Sequence, residues 1–316
     1  MRRRHLADYG VLSVVWGCSF AALQRAVQGF GWAGAASFRA LLAGLILLAI
    51  AAATRRKLNF GPNWRPFAVV GATTVAGQMV GMSFAVPRIG TAMAAIFVGA
   101  MPLFTMLIAR LWGLEQITSL GQVGLVLGFG GIVLLVGFPA VPVTGSFLLG
   151  CATALAGSVS AAFGSNYARR RLAGTGSYEV TTGSFLFGGL MALPLLVFVP
   201  VPGLPSVSDF GYLLTLAALM SALAYVLFFR LVAELGATRA MSVEFFVTAI
   251  AVTIGSVIQH ERLSVPQIVG AAVIIAGCAL VLGLIPTLRR RRQLGRPDEP
   301  TRSARSARSA PVAQDP

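Results

Sequence analysis

Two side chains in this sequence are charged where their neighbours are apolar. Glu244 and Arg39 each stand about six residues inside an apolar block, where insertion of a charge costs about 2.5–3.5 kcal/mol. A carboxylate in such a place has the chemistry to load and release a proton, or to hold a cation. It can equally be tied by hydrogen bonds to Ser or Thr of a neighbouring helix. A guanidinium can anchor the carboxylate of an anionic solute, or tie helices together, or reach along its stem to the water interface. At 1.5 Å per helical residue, each charge lies roughly 9 Å from its own end of the block. Those ends face opposite sides, so about 12 Å of depth separates the two and a direct ion pair is not expected.

Trp16, Ser19, Gln78, Ser160, Asn166, Tyr167 and Tyr225 are further polar or amphipathic groups within apolar blocks. At such depth they should face protein or a cavity, not lipid. They are candidate solute-binding groups, with helix–helix hydrogen bonding as the structural alternative. Glu115 and Glu261 lie at block ends and are expected to cap helices or fix loops.

The elements that must position these residues are membrane helices. Of 316 residues, 56% are hydrophobic and 11% charged, against roughly 25% charged in soluble domains. Mean hydropathy is +0.81. A core of this size has no room for so much apolar surface. Ten blocks have spanning length: about 9–28, 33–53, 66–86, 91–110, 119–137, 147–168, 180–199, 210–230, 238–258 and 267–286. The fold class is therefore an all-α membrane protein, since an open sheet in lipid would leave backbone groups unpaired.

The net charge of +15 does not indicate nucleic acid, because the arginines sit in clusters between blocks and in the tail. With both termini cytoplasmic, only Arg25, Arg88, Arg262 and the intramembrane Arg39 among 25 basic residues fall away from the inner side. The positive-inside rule thus predicts a multi-pass protein of the cell or inner membrane in that orientation. The N-terminal basic residues and apolar run read as an uncleaved first span. Residues 287–316, rich in Arg, Pro, Ser and Ala, are predicted to be a basic, disordered cytoplasmic tail.

Sliding the chain by 146 residues carries Ser19 onto Ser165, Arg25 onto Arg171, Gly90 onto Gly236, Glu115 onto Glu261 and Thr118 onto Ser264. Gly124, Gly131 and Gly137 meet Gly270, Gly277 and Gly283, where chance would match about 0.7 of the glycines of that block. The chain is therefore expected to hold two repeats, 1–140 and 147–286. Five blocks per repeat turn the second copy upside down in the membrane, an arrangement that secondary transporters use to alternate access to a site between the halves.

Each repeat resembles an EamA domain of the drug/metabolite transporter superfamily. The likeness rests on Trp16-Gly17-Cys18-Ser19-Phe20, Phe38-Arg39-Ala40-Leu41-Leu42-Ala43, Met101-Pro102-Leu103-Phe104 and Leu114-Glu115-Gln116-Ile117-Thr118, the last repeated as His260-Glu261-Arg262-Leu263-Ser264. The sequence departs from the pattern at Leu114 and His260, where a Gly is usual, at Thr248, which matches Pro102, and at Glu244-Phe245, where a Glu-Pro pair is common a turn away. The resemblance implies a secondary transporter, with export favoured, of a small polar metabolite (an amino acid or related compound) or a drug, with protons as a candidate coupling ion.

A lipid flippase or a non-catalytic membrane partner is the alternative. No enzyme is expected, because no His-plus-acid set lies within the blocks. Cys18, Cys151 and Cys278 lack metal or disulfide spacing and His5 and His260 lie at block edges, so neither metal nor cofactor is expected. No Gly-Lys-Ser/Thr follows the glycine-rich stretch at Gly128, so it is not a phosphate loop, and an ATP-driven pump is disfavoured. The partners implied are the bilayer and a small-molecule substrate; oligomeric state has no signature in the sequence.

Overall fold

A computed structural model describes residues 3–60, 63–116, 118–139 and 142–282, and these are mostly helical with no strand among them. The helices are α1 (Arg3–Ala53) and α2 (Arg65–Ile89), α3 (Thr91–Leu111), α4 (Ser119–Gly137), α5 (Gly145–Arg171), α6 (Ser177–Phe198), α7 (Val207–Leu235), α8 (Ala237–Ile258) and α9 (Val265–Val281). Eight of them are long and apolar enough to cross a membrane, and α9 is a shorter apolar helix. The expected tail, 287–316, and the end of the last expected block lie outside the described residues.

The sequence predicts a loop between residues 28 and 33. The structure has instead one helical run broken at a single residue, Gly31, with φ 69° and ψ 167°. That conformation is open to Gly and costly for residues with a Cβ. Polar turn residues are not needed when one peptide unit does the bending.

Local signals account for several helix starts. Thr118 accepts a hydrogen bond from the Gly121 amide and caps α4. Ser264 caps α9 in a capping box with Gln267, satisfying amides that otherwise lack partners. These two caps are one of the residue pairs 146 apart in sequence.

Packing then follows from small residues. In lipid, helices associate chiefly by close van der Waals contact, so interfaces favour glycine. Helices α4 and α9 meet along Gly124 and Gly131 on one side and Gly270 and Gly277 on the other. A methyl group at Gly124 would strike the Gly277 carbonyl, and one at Gly131 the Gly270 carbonyl. Val126 and Val133, on the far side of α4, are 74% and 68% exposed. An apolar face left open at that level suits lipid contact.

Three stretches leave the α pattern for wider π-helical turns: Gly71–Gly77 in α2, Ala218–Leu223 in α7 and Ile254–Ile258 in α8. Such turns are rare and recur at functional sites, because they re-aim side chains and free backbone carbonyls. The first two nearly superimpose under the 146-residue offset. Both flank the cavity described next.

Candidate functional site

The described residues enclose a cavity between α1, α2, α3, α7 and α8, with about 600 Å³ of empty space, its open mouth included. Its charged and polar lining is Ser19, Arg39, Thr74, Gln78, Tyr225 and Glu244, with Trp16 and Phe228 as aromatic walls. Six of the nine expected site residues are thereby brought together: Trp16, Ser19, Arg39, Gln78, Tyr225 and Glu244.

The remaining three do other work. Ser160 donates to the Thr73 carbonyl at 3.0 Å, joining α5 to the π-helical turn of α2. Asn166 is fully buried and its amide donates to the Thr105 and Ala162 carbonyls, both at 3.0 Å. Tyr167 stacks on Phe163 away from the cavity. Ser160 and Asn166 spend a donor on a neighbouring helix, the common fate of polar residues at depth, while the Tyr167 ring packs within its own helix.

Arg39 is nearly buried. Its Nε donates to Ser221 Oγ at 2.6 Å and its Nη2 to the Met220 carbonyl at 3.3 Å. The Met220 carbonyl also accepts the Trp16 indole N–H at 3.0 Å. Both acceptors sit in the π-helical turn of α7. The wider turn leaves backbone and hydroxyl oxygens free for a guanidinium that would otherwise be without partners. Arg39 therefore faces the cavity and does not extend to the water interface. Its charge is balanced by no carboxylate, for no ion pair with Arg39 occurs among the described residues.

Glu244 opens the second segment of α8, just after a break at Ser242 and Val243. It is 3% exposed, and its Oε2 has no hydrogen-bond partner. The Ser or Thr partner that would make it structural is not found among the described residues. Thr74 Oγ1, also on the cavity wall, is likewise buried and unpartnered. An unmet buried polar atom costs about 1–3 kcal/mol. Both residues belong to the cavity lining, Thr74 from α2 and Glu244 from α8.

The Tyr225 hydroxyl donates to Gln78 Oε1 at 2.7 Å, bridging α7 to α2. Trp16 meets the Tyr225 ring edge-on at 5.2 Å and the Phe228 ring at 5.4 Å. Ser19 turns its hydroxyl back to the Trp16 carbonyl at 2.7 Å.

Four pairs of lining residues stand 146 apart: Met79 and Tyr225, Met82 and Phe228, Val98 and Glu244, Met101 and Val247. Corresponding positions of both sequence halves thus meet at one cavity. Thr74, Met220 and Ser221 were missed by sequence reasoning. Only the offset pairing of Thr74 with Met220 could have pointed there.

His5 pairs with Glu234 at 2.7 Å, and Asp8 pairs with Arg230. Both tie the start of α1 to the end of α7. No group of three or more metal-ligating side chains occurs among the described residues.

The profile of the EamA-like transporter family matches residues 9–137 and again 148–283. The chain belongs to that family, and it is a multi-pass membrane protein. Among its relatives are an uncharacterised inner membrane transporter, YedA, of Escherichia coli, 28% identical over 85% of this chain and 88% of that one. Protein PecM of Dickeya dadantii is 29% identical over 84% and 88%. The uncharacterised transporter YvbV of Bacillus subtilis is 25% identical over 85% and 88%. A solved crystal structure shares the fold at a TM-score of 0.65, with 18% identity over 93% of this chain and 99% of the other.

Proposed function

We propose that this protein is a secondary-active exporter that moves a small polar metabolite, such as an amino acid or related compound, or a drug, by alternating access through the cavity at Glu244 and Arg39. The break at Gly31 divides α1 into two crossings, which with α2 to α9 makes ten. The two matched segments then form inverted five-helix halves with both termini in the cytoplasm. Arg39 anchors an anionic group of the solute, and Glu244 carries the coupling proton.

One observation carries this reading. The cavity draws corresponding residues from both sequence halves and presents two unpartnered polar atoms, Thr74 Oγ1 and Glu244 Oε2. A site at the junction of inverted halves is where rocking of one half against the other exposes it to each side in turn. The transporter names borne by relatives support the same class.

The lipid-handling alternative has one observation in its favour. A groove beside α1 and α7, with about 1210 Å³ of empty space, its open side included, is lined by Phe30, Phe38, Leu41, Leu42, Phe210 and Leu213 among others. It suits an acyl chain. It has no charged side chain for a headgroup, which leaves solute transport the better-supported reading.

The test is counterflow in proteoliposomes with a panel of metabolites, with and without a pH gradient. Solute exchange that accelerates with the gradient is expected. Absence of any solute flux, together with scrambling of labelled lipid, would replace the exporter by a flippase.

A further inference from the structure

Gly90 and Gly236 stand 146 residues apart and carry nearly the same backbone, φ 84°, ψ 165° and φ 89°, ψ 158°. Each opens a helix, α3 at Thr91 and α8 at Ala237. Each therefore presents two amides in the same way, and the positive end of a helix welcomes a carboxylate.

At the first, Glu261 answers. Its Oε1 accepts from the Thr91 amide at 2.6 Å and its Oε2 from the Ala92 amide at 2.7 Å. The carboxylate comes from just beyond α8, so it ties the end of one half to a helix start in the other.

At the second, the corresponding carboxylate, Glu115, lines the same pocket as Thr238 but has another partner. It pairs with Arg169 Nη1, whose guanidinium lies against Gly236. Among the described residues no side chain is bonded to the Ala237 or Thr238 amide. Thr238 Oγ1 is buried and without a hydrogen bond. Glu115, Arg169 and Thr238 line one pocket, with Met106, Leu235 and Arg239. A capping seat and its carboxylate thus share a cavity without meeting.

We propose that Glu115 and Glu261 are the two arms of an alternating latch. In the conformation described Glu261 holds α3, and on this proposal that bond closes the outer end of the cavity. In the opposite conformation Glu261 releases α3, and Glu115 leaves Arg169 to hold the start of α8 and close the inner end. Only the differential bonding of each carboxylate between the two states biases the equilibrium. The inference rests on the inverted-halves exporter reading, and its test separates the two.

In protein lacking Cys18, Cys151 and Cys278, a thiol introduced by Met82→Cys, towards the outer end of the cavity, reports access to a membrane-impermeant maleimide. Glu261→Gln removes the outer latch and is expected to raise the labelling rate about fivefold. Glu115→Gln removes the inner latch and should lower it about as much. Arg169→Gln frees Glu115 for α8 and should raise labelling, opposite in sign to Glu115→Gln.

A merely structural ion pair would respond alike to loss of either partner. Equal-direction changes for Glu115→Gln and Arg169→Gln, or unchanged labelling in all three variants, would overturn the latch. If Glu261→Gln does not fold, the opposed pair at the inner end decides the matter alone. Counterflow measured on the same preparations reports separately. Labelling that shifts as stated without solute flux keeps the latch and removes the exporter. Solute flux with unmoved labelling does the reverse.

Discussion

At residues 98 and 244 the two halves of the sequence reach the same cavity with opposite chemistry. Val98 and Glu244 occupy equivalent positions under the 146-residue offset, yet one is a hydrocarbon and the other an acid with an unpartnered oxygen. Met79 and Tyr225 differ in the same sense. The frame, by contrast, is alike in both halves. Gly90 and Gly236 share a conformation, Thr118 and Ser264 both cap, and α4 and α9 interlock through glycines at matching places. On the proposed exporter reading, duplicated backbone supplies the symmetry that alternation needs. The few unlike side chains, Glu244 and Tyr225 among them, set the cavity's two sides apart.

That contrast can be broken at its strongest point. A carboxamide cannot exchange a proton, so Glu244→Gln is expected to reduce flux driven by a pH gradient at least about tenfold, the equivalent of roughly 1.4 kcal/mol in barrier. Counterflow at equal pH should persist. Full gradient-driven flux in the variant would show that the asymmetry at this position is idle.

Moving the acid across sharpens the comparison. In the double variant Val98→Glu with Glu244→Val, gradient-driven uptake is expected to return to within about tenfold of the parent, because the acid still faces the cavity. No recovery would mean that the neighbourhood of α8, and not the cavity as a whole, sets the coupling.

The symmetric frame makes predictions about stability, not flux. Gly124→Val and Gly277→Val each press a side chain on a backbone carbonyl and should cost about 1–3 kcal/mol. The two should be similar in size, seen as lower unfolding temperatures in detergent. Gly130→Val, with nothing within 4 Å of the added carbon, should be near neutral. Smallest is the pair of caps. Ser264→Ala and Thr118→Ala should each cost about 1 kcal/mol, the former slightly more because it also dissolves the capping box with Gln267. Unequal losses at the glycines or caps would show that the halves do not carry equal loads.

Much of the frame was legible because its causes are local. Apolar runs of spanning length announce helices in lipid, the recurring glycines of α4 and α9 mark a close contact, and the glycine at 90 returns at 236. The candidate site was legible where a residue was chemically out of place, as Glu244 and Arg39 were. It was not legible where the same residue types serve packing. Ser160, Asn166 and Tyr167 look no different in sequence from Ser19 and Tyr225, yet the first two donate to neighbouring helices and the third packs on Phe163 of its own helix.

The amino-acid order by itself determined the solvent of this protein, its helices, its doubling and its oddly placed charges, since these depend on composition, length and spacing. The fold alone decided that Arg39 answers to Ser221 across 182 residues, that Tyr225 reaches Gln78 across 147, and that one glutamate of a duplicated pair caps a helix while its counterpart does not. Such choices depend on which helix faces meet and at what rotation. That is the sum of many weak contacts far apart along the chain.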